Sequence, residues 1–459
     1  MLTATPEPEL RPTRRGRARR AASQAVAADS IAATRIIFGV LVAFSALRFM
    51  AKGWVNELWL APAHHLSYPG FEWVQPLPGS WMYLLPCATA AAGIAMALGW
   101  HHRVATVLFL VSFTWTELID AALYLNHYWF LTLVGILMLV LPVHHHWSLD
   151  ARAGRVQRSR VVPAFVLWAL RAQVGVVYFF AGVAKLNSDW LFRAEPLQLW
   201  LSDRSDSAVI GPLLDAQVVA FAASWGAAAF DLTIVGWLLW RRSRLAAWMT
   251  LATFHAVTGV LFQIGVFPLV MTLMALIYFD PDWPRRLPRL FRPGAVARSQ
   301  PVSSTAPPMT RSWTLALLAC VAVVQLVLPL RHLAQPGNVR WNEDGYYLAW
   351  RVMLTEKAGL VDFQVTDSMT GHTWTVGPGA VLTDWQSAHA ATRPDLIHAT
   401  ALLIEQELTA AGSGRLEIRA NAWVSMNGRA AAPLMNPELD LLQFERGALP
   451  AGAVMAAPR

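Results

Sequence analysis

Tyr178-Phe-Phe-Ala-Gly-Val-Ala-Lys-Leu-Asn-Ser-Asp-Trp190 closes an apolar run that begins near Val161. A run of that length crosses a bilayer as a helix, at about 20 residues per crossing. It delivers a single lysine, Lys185, to the point where the chain leaves hydrocarbon. An amine at such a point is partly desolvated, and desolvation favours the neutral, basic form. A lysine so placed also serves simply to snorkel to the interface. The surrounding sequence has to decide between these readings.

The rest of the chain shares the apolar character. Of 459 residues, 55% are hydrophobic and 14% charged, against about 25% charge in a soluble domain. The composition is that of a polytopic α-helical membrane protein, and 22 tryptophans suit its interfacial belts. The net charge of +8 does not point to nucleic acid. From Arg331 to Arg459 ten Lys/Arg stand against thirteen Asp/Glu, so the basic surplus belongs to the membrane part. Cys87 and Cys320 both fall in apolar segments, which argues against an external disulfide framework.

Apolar runs fall near 30–50, 81–99, 104–123, 127–143, 161–184, 217–240, 245–263, 264–280 and 312–330, about nine spans and between eight and ten. Arginines cluster before the first run (Arg11 to Arg20) and after the fourth (Arg152 to Arg160), the sixth (Arg241, Arg242, Arg244) and the eighth (Arg285 to Arg298). Every second connection is thus basic, which places these connections and the N-terminus in the cytoplasm and the C-terminal residues outside. An arginine-rich start also resembles a cleaved signal. Arg35 and Arg48 inside the first run, and the lack of a small-residue cleavage site, favour a retained span.

The expected organisation is a basic, disordered segment at 1–29, a helical membrane domain at 30–280, a Pro/Arg-rich cytoplasmic linker at 281–311, a last span at 312–330 and an external α+β domain at 331–459. In that domain Leu348–Met353, Leu360–Val365, His372–Val376 and Leu416–Val424 alternate as half-buried strands do. Asp395 to about Leu408 reads as a helix, with Pro394 suited to its first turn.

Arg171, Tyr178 and Lys185 recur every seven residues and form one polar stripe. Gly175 and Gly182, at the same interval, admit a close neighbouring helix. A charge within a span costs at least about 2.5 kcal/mol unpaired, and Asp231 in the next span is the nearest candidate partner for Arg171. Asp120, Asn126 and His127 lie in a turn on the same membrane face as Lys185. From the residues alone, His127 is either an interfacial hydrogen-bonding group or part of a reaction centre. His255, inside a span, implies a polar cavity. His332, Trp341 and Asn342 follow the last span closely enough to roof it. His144-His145-His146 lacks the spacing of metal ligands, and no metal site is expected.

These words resemble the vitamin K-dependent gamma-carboxylase family, in particular bacterial relatives of the horizontally transferred transmembrane domain type. The resemblance runs through Arg35-Ile-Ile-Phe-Gly39, Leu77-Pro-Gly-Ser-Trp-Met-Tyr83, Asn126-His127, His146-Trp-Ser-Leu-Asp150, Tyr178 to Trp190, Phe254-His255 with Ile264-Gly265, Pro281-Asp-Trp-Pro-Arg285 and Trp423-Val-Ser-Met-Asn427. It implies oxidation of reduced vitamin K by O2 to the epoxide. The base so formed removes a γ-proton from a peptidyl glutamate, and CO2 adds. It also implies Lys185 as the base that deprotonates the quinol, His127 and Asn126 in the reaction centre, and Tyr178, His255, His332 and Trp341 around the cofactor. The implied partners are a lipid quinone, a secreted glutamate-containing peptide and the bilayer of a bacterial plasma membrane. Where animal sequences have two adjacent lysines this chain has Ala184-Lys185, and it lacks their C-terminal extension. Two other readings remain: quinol epoxidation without protein carboxylation, and a non-catalytic lipid-binding or assembly protein on the same scaffold.

Overall fold

The computed structural model describes residues 24–206, 211–262, 264–291 and 312–458. Residues 1–23 of the expected basic N-terminus and 292–311 of the expected linker lie outside the described residues. Each apolar run of the sequence contains a helix. The helices are α1 (Asp29–Ala51), α2 (Leu84–Leu98), α3 (His102–Leu118), α4 (Asn126–Val140), α5 (Ala164–Lys185), α6 (Gln217–Leu239), α7 (Arg244–Leu261), α8 (Phe267–Met274) and α9 (Ser312–Val327). A 3-10 turn at Gly79–Tyr83 leads into α2, and another at Ala275–Tyr278 extends α8.

Among the described residues five helical stretches are long and apolar enough to cross a membrane: Asp29–Ala51, Gly79–Leu98, Ala164–Lys185, Gln217–Leu239 and Trp313–Ala334. Hydropathy counts apolar residues whether or not they are helical, which is why the sequence suggests more. The run at 127–143 illustrates this. Leu141 leaves the helix with ψ near 150°, so α4 has only 15 residues. A bilayer offers no hydrophobic drive between helices, so close packing has to hold them together. At Gly182 on α5 an added Cβ would stand 2.8 Å from Leu232 on α6, and at Gly175 it would stand 3.4 Å from Val235. As α5 descends, its contacts ascend α6, so the two helices are antiparallel. Phe38, Phe109, Phe130, Val174 and Met274 knit the bundle into one core.

The C-terminal domain is a four-stranded antiparallel sheet of order β4-β3-β5-β6, where β3 is Lys357–Asp367, β4 Thr373–Val376, β5 Leu416–Met426 and β6 Ala432–Pro433. A two-stranded ladder, β1 (Ala25–Ala27) with β2 (Val161–Pro163), ties the start of the chain to the foot of α5. Phe363 faces Ala420 across β3 and β5, and Val361, Val365, Ile418 and Val424 bury the face that meets helix α10 (Pro394–Ala410). The expected strand at Leu348–Met353 does not form. Leu348, Trp350 and Met353 hold φ of 60°, 56° and 51°, a left-handed conformation that side chains with a Cβ rarely adopt. The segment turns on itself instead, and Trp350 joins the core of the membrane helices, fully buried. Alternation in the sequence reflects this plug rather than a half-buried strand.

Candidate active site in an apolar cavity

The antiparallel crossing at Gly182 sets the end of α5 beside the middle of α6. There the Lys185 amine donates to Asp231 Oδ2 at 2.8 Å, and both side chains are buried. The face of Trp190 lies 5.2 Å from the amine. Trp190 is itself fixed by its indole N–H, which donates to the Ser224 carbonyl of α6 at 2.8 Å. Two turns earlier on α5, the Tyr178 hydroxyl meets His255 Nε2 of α7 at 2.7 Å.

Both polar pairs open onto one cavity of about 350 Å³ between α5, α6, α7 and α8. Its remaining wall is apolar, including Val177, Ala227, Phe254, Phe262 and Met271. Its roof is Val352 and Met353, from the plug of the C-terminal domain. An apolar chamber with a few convergent polar groups is the usual form of a small-molecule site. Here the lysine–aspartate and tyrosine–histidine pairs are the polar groups that an otherwise apolar chamber offers to a ligand.

The expected ion pair of Arg171 with Asp231 is not formed. Because α5 and α6 are antiparallel, Asp231 lies level with Lys185. Arg171 sits nearly four turns back along α5, about 20 Å away along the helix axis. Its guanidinium instead donates to the carbonyls of Ile277, Tyr278 and Phe279, at 3.0, 3.2 and 3.1 Å. These carbonyls close a 3-10 turn and have few partners within it, and Tyr278 returns a bond to the Arg171 carbonyl.

His127 does not line the cavity but backs its wall. Its ring stacks on Phe267, with centroids 4.9 Å apart and planes 25° apart, and Phe267 faces the chamber. Asn126 is further off and joins the two domains. It donates to the Arg351 carbonyl at 2.9 Å and accepts from the Trp350 N–H at 3.2 Å and the Tyr124 hydroxyl at 3.1 Å. Asp120 is another junction group, accepting from Gln386 at 2.8 Å. His332 and Trp341 do not roof the chamber. Trp341 is in the core of the C-terminal domain, donating to the Met455 carbonyl, and His332 lines a separate groove near Asn187. Sequence distance from the last span suggested them, but the chain folds away before returning through Trp350.

Residues that sequence reasoning passed over complete the site's frame. Asp189 accepts from Arg429 at 2.6 and 3.0 Å, from Asn427 at 3.0 Å, and pairs with Arg340 at 2.9 Å. Burial alone would raise the Asp189 carboxyl, but Arg429, Arg340 and Asn427 together hold it below its ordinary 3.8. Asn187 caps the short helix Ser188–Phe192 and accepts from Arg340 at 2.6 Å. The Asn-Ser-Asp run carries a helix-start signal that could have flagged Asn187. Its partners, about 150 and 240 residues away, leave none. Arg351 is 7% exposed, and its side chain has neither a hydrogen bond nor an ion pair among the described residues. It lines a polar chamber that shares Met353 with the apolar cavity.

The fold and site are those of an integral membrane protein in which an α+β domain closes an apolar chamber. The HTTM domain model matches residues 23–283, and that of the vitamin K-dependent gamma-carboxylase lumenal domain matches residues 310–450. This chain belongs to the vitamin K-dependent gamma-carboxylase family. No solved structure matches it.

Proposed function

We propose that this protein oxidises a reduced naphthoquinone of the vitamin K type with O2 and couples that reaction to carboxylation of a peptidyl glutamate. The observation that carries the proposal is the convergence of Lys185–Asp231 and Tyr178–His255 on one apolar chamber. The reduced cofactor, on oxidation, supplies a base strong enough for a glutamyl γ-proton, which no side chain can provide.

The chain's own residues bind, orient and move protons. In hydrocarbon a neutral amine and acid compete with the ion pair, so the proton of Lys185 can rest on Asp231. The free amine then takes a proton from the quinol hydroxyl. Tyr178 and His255 hold the ring, His127 fixes Phe267 against it, and Asn126 secures the roof through Trp350 and Arg351. The unpaired guanidinium of Arg351, beyond Met353, suits the carboxylate of an incoming peptide.

The arginine pattern supports about nine crossings, with the N-terminus cytoplasmic and the C-terminal domain outside, where a secreted peptide would arrive. The deciding experiment incubates membranes holding this protein with vitamin K hydroquinone, O2, labelled bicarbonate and a glutamate peptide. Epoxide and fixed label are scored separately. Both products support the full reading. Epoxide alone reduces it to quinol oxidation, the reading favoured if Arg351 has another ligand. Neither product overturns both.

A further inference from the structure

A second cavity, small at about 60 Å³ and open on one side, lies among α1 to α4 and takes no part in the chemistry above. It is lined by the rings of Phe49, Trp59, Phe113 and Tyr128, with a single carboxylate, Glu117, near the end of α3. Glu117 has no hydrogen bond or ion pair among the described residues, and no lysine or arginine lines the cavity. Trp59 is 6% exposed, and its indole N–H is buried without an acceptor. Two orphaned groups of opposite sense, an acceptor and a donor, thus sit on the wall of one aromatic cavity.

An ionisable residue in the membrane marks a site by default. Aromatic faces around a carboxylate are the chemistry that recognises ammonium, because the ring quadrupole attracts the cation and the carboxylate balances its charge. The chain supplies no counter-ion here, so the carboxyl is ionised only when a cationic ligand enters, and an ammonium would be held by the charge it induces. In an ethanolamine phospholipid the ammonium is followed by a phosphate, which offers the acceptor that the Trp59 N–H lacks.

We propose that this cavity takes the ammonium end of an ethanolamine phospholipid, with Glu117 as its charge partner and the phosphate left at the open mouth. The proposal goes beyond the quinol reaction and does not depend on it. Native mass spectrometry of the full chain, released from nanodiscs of mixed phosphatidylethanolamine and phosphatidylglycerol, provides the test. The wild type should retain phosphatidylethanolamine at least about tenfold over phosphatidylglycerol, which has no ammonium. Phosphatidylcholine, with the charge but no N–H donors, should fall between. Glu117→Gln is close in shape and should erase the preference, while melting like the wild type in discs of phosphatidylglycerol alone. Trp59→Phe should weaken retention severalfold. Equal retention of the two lipids by the wild type would overturn the proposal without recourse to any variant. Undiminished preference in Glu117→Gln would do the same.

Discussion

Lys185 and Asp231 meet at 2.8 Å because α5 and α6 pass each other, antiparallel, at Gly182. The proposed base and its proton store are therefore set by a helix crossing rather than by a loop. Lys185→Ala should abolish epoxide formation while leaving membrane insertion intact. Lys185→Arg should fail as well, since a guanidinium is no base near neutral pH. Asp231→Asn keeps the volume but removes the proton store, and turnover should drop roughly 10²- to 10⁴-fold. Near-normal epoxide formation by either lysine variant would exclude Lys185 as the base.

His127 touches the chamber only through Phe267, which allows a sharp test. His127→Phe keeps a ring to stack on Phe267 but has no ring nitrogens. If the nitrogens act on the quinol, this variant should melt like the wild type yet react about 10²- to 10³-fold more slowly in a single turnover. His127→Ala should lose stability as well. Wild-type rates in the phenylalanine variant would leave His127 a packing role alone.

Docking of the C-terminal domain should be acid-sensitive. The Asp189 carboxyl lies below its ordinary 3.8 in the folded chain. Its contribution is therefore fully present above that value and is lost as pH falls through the depressed one. Asp189→Asn leaves Arg429 and Arg340 without their carboxylate and should cost about 3–5 kcal/mol. Hydrogen exchange at Arg340 and Asn427, followed from pH 7 downward, should show the wild type opening in acid and the variant open throughout. A flat wild-type profile would contradict the assignment.

Topology can be read independently of chemistry. A reporter after Arg459 should lie outside, and one inserted near Ser303 should lie in the cytoplasm. A cytoplasmic C-terminus would place the roof of the chamber on the wrong side for a secreted peptide.

Helices were legible in the sequence because hydropathy and helix length are local properties, and Pro394 marked the start of α10 for a similarly local reason. The stripe of Tyr178 and Lys185 was legible too, since seven residues return to one helix face. Pairing across helices was not. Choosing Asp231 for Arg171 required the direction and offset of α6, which only packing at Gly182 determines. The partners of Asp189 were hidden for the same reason. Leu348–Met353 misled because burial of every second residue in a strand and burial of Trp350 in a plug leave the same pattern.

That plug makes the membrane chamber depend on the C-terminal domain for its closure. The ceiling over Lys185 is made by Val352 and Met353, residues that follow the last helix and belong to the C-terminal domain. Exchanging the C-terminal module for one with a different specificity would leave a hydrophobic cup open to water. Leu360 and Trp423, paired across β3 and β5 on the sheet's exposed side, lie away from this ceiling, so changes there leave the chamber closed.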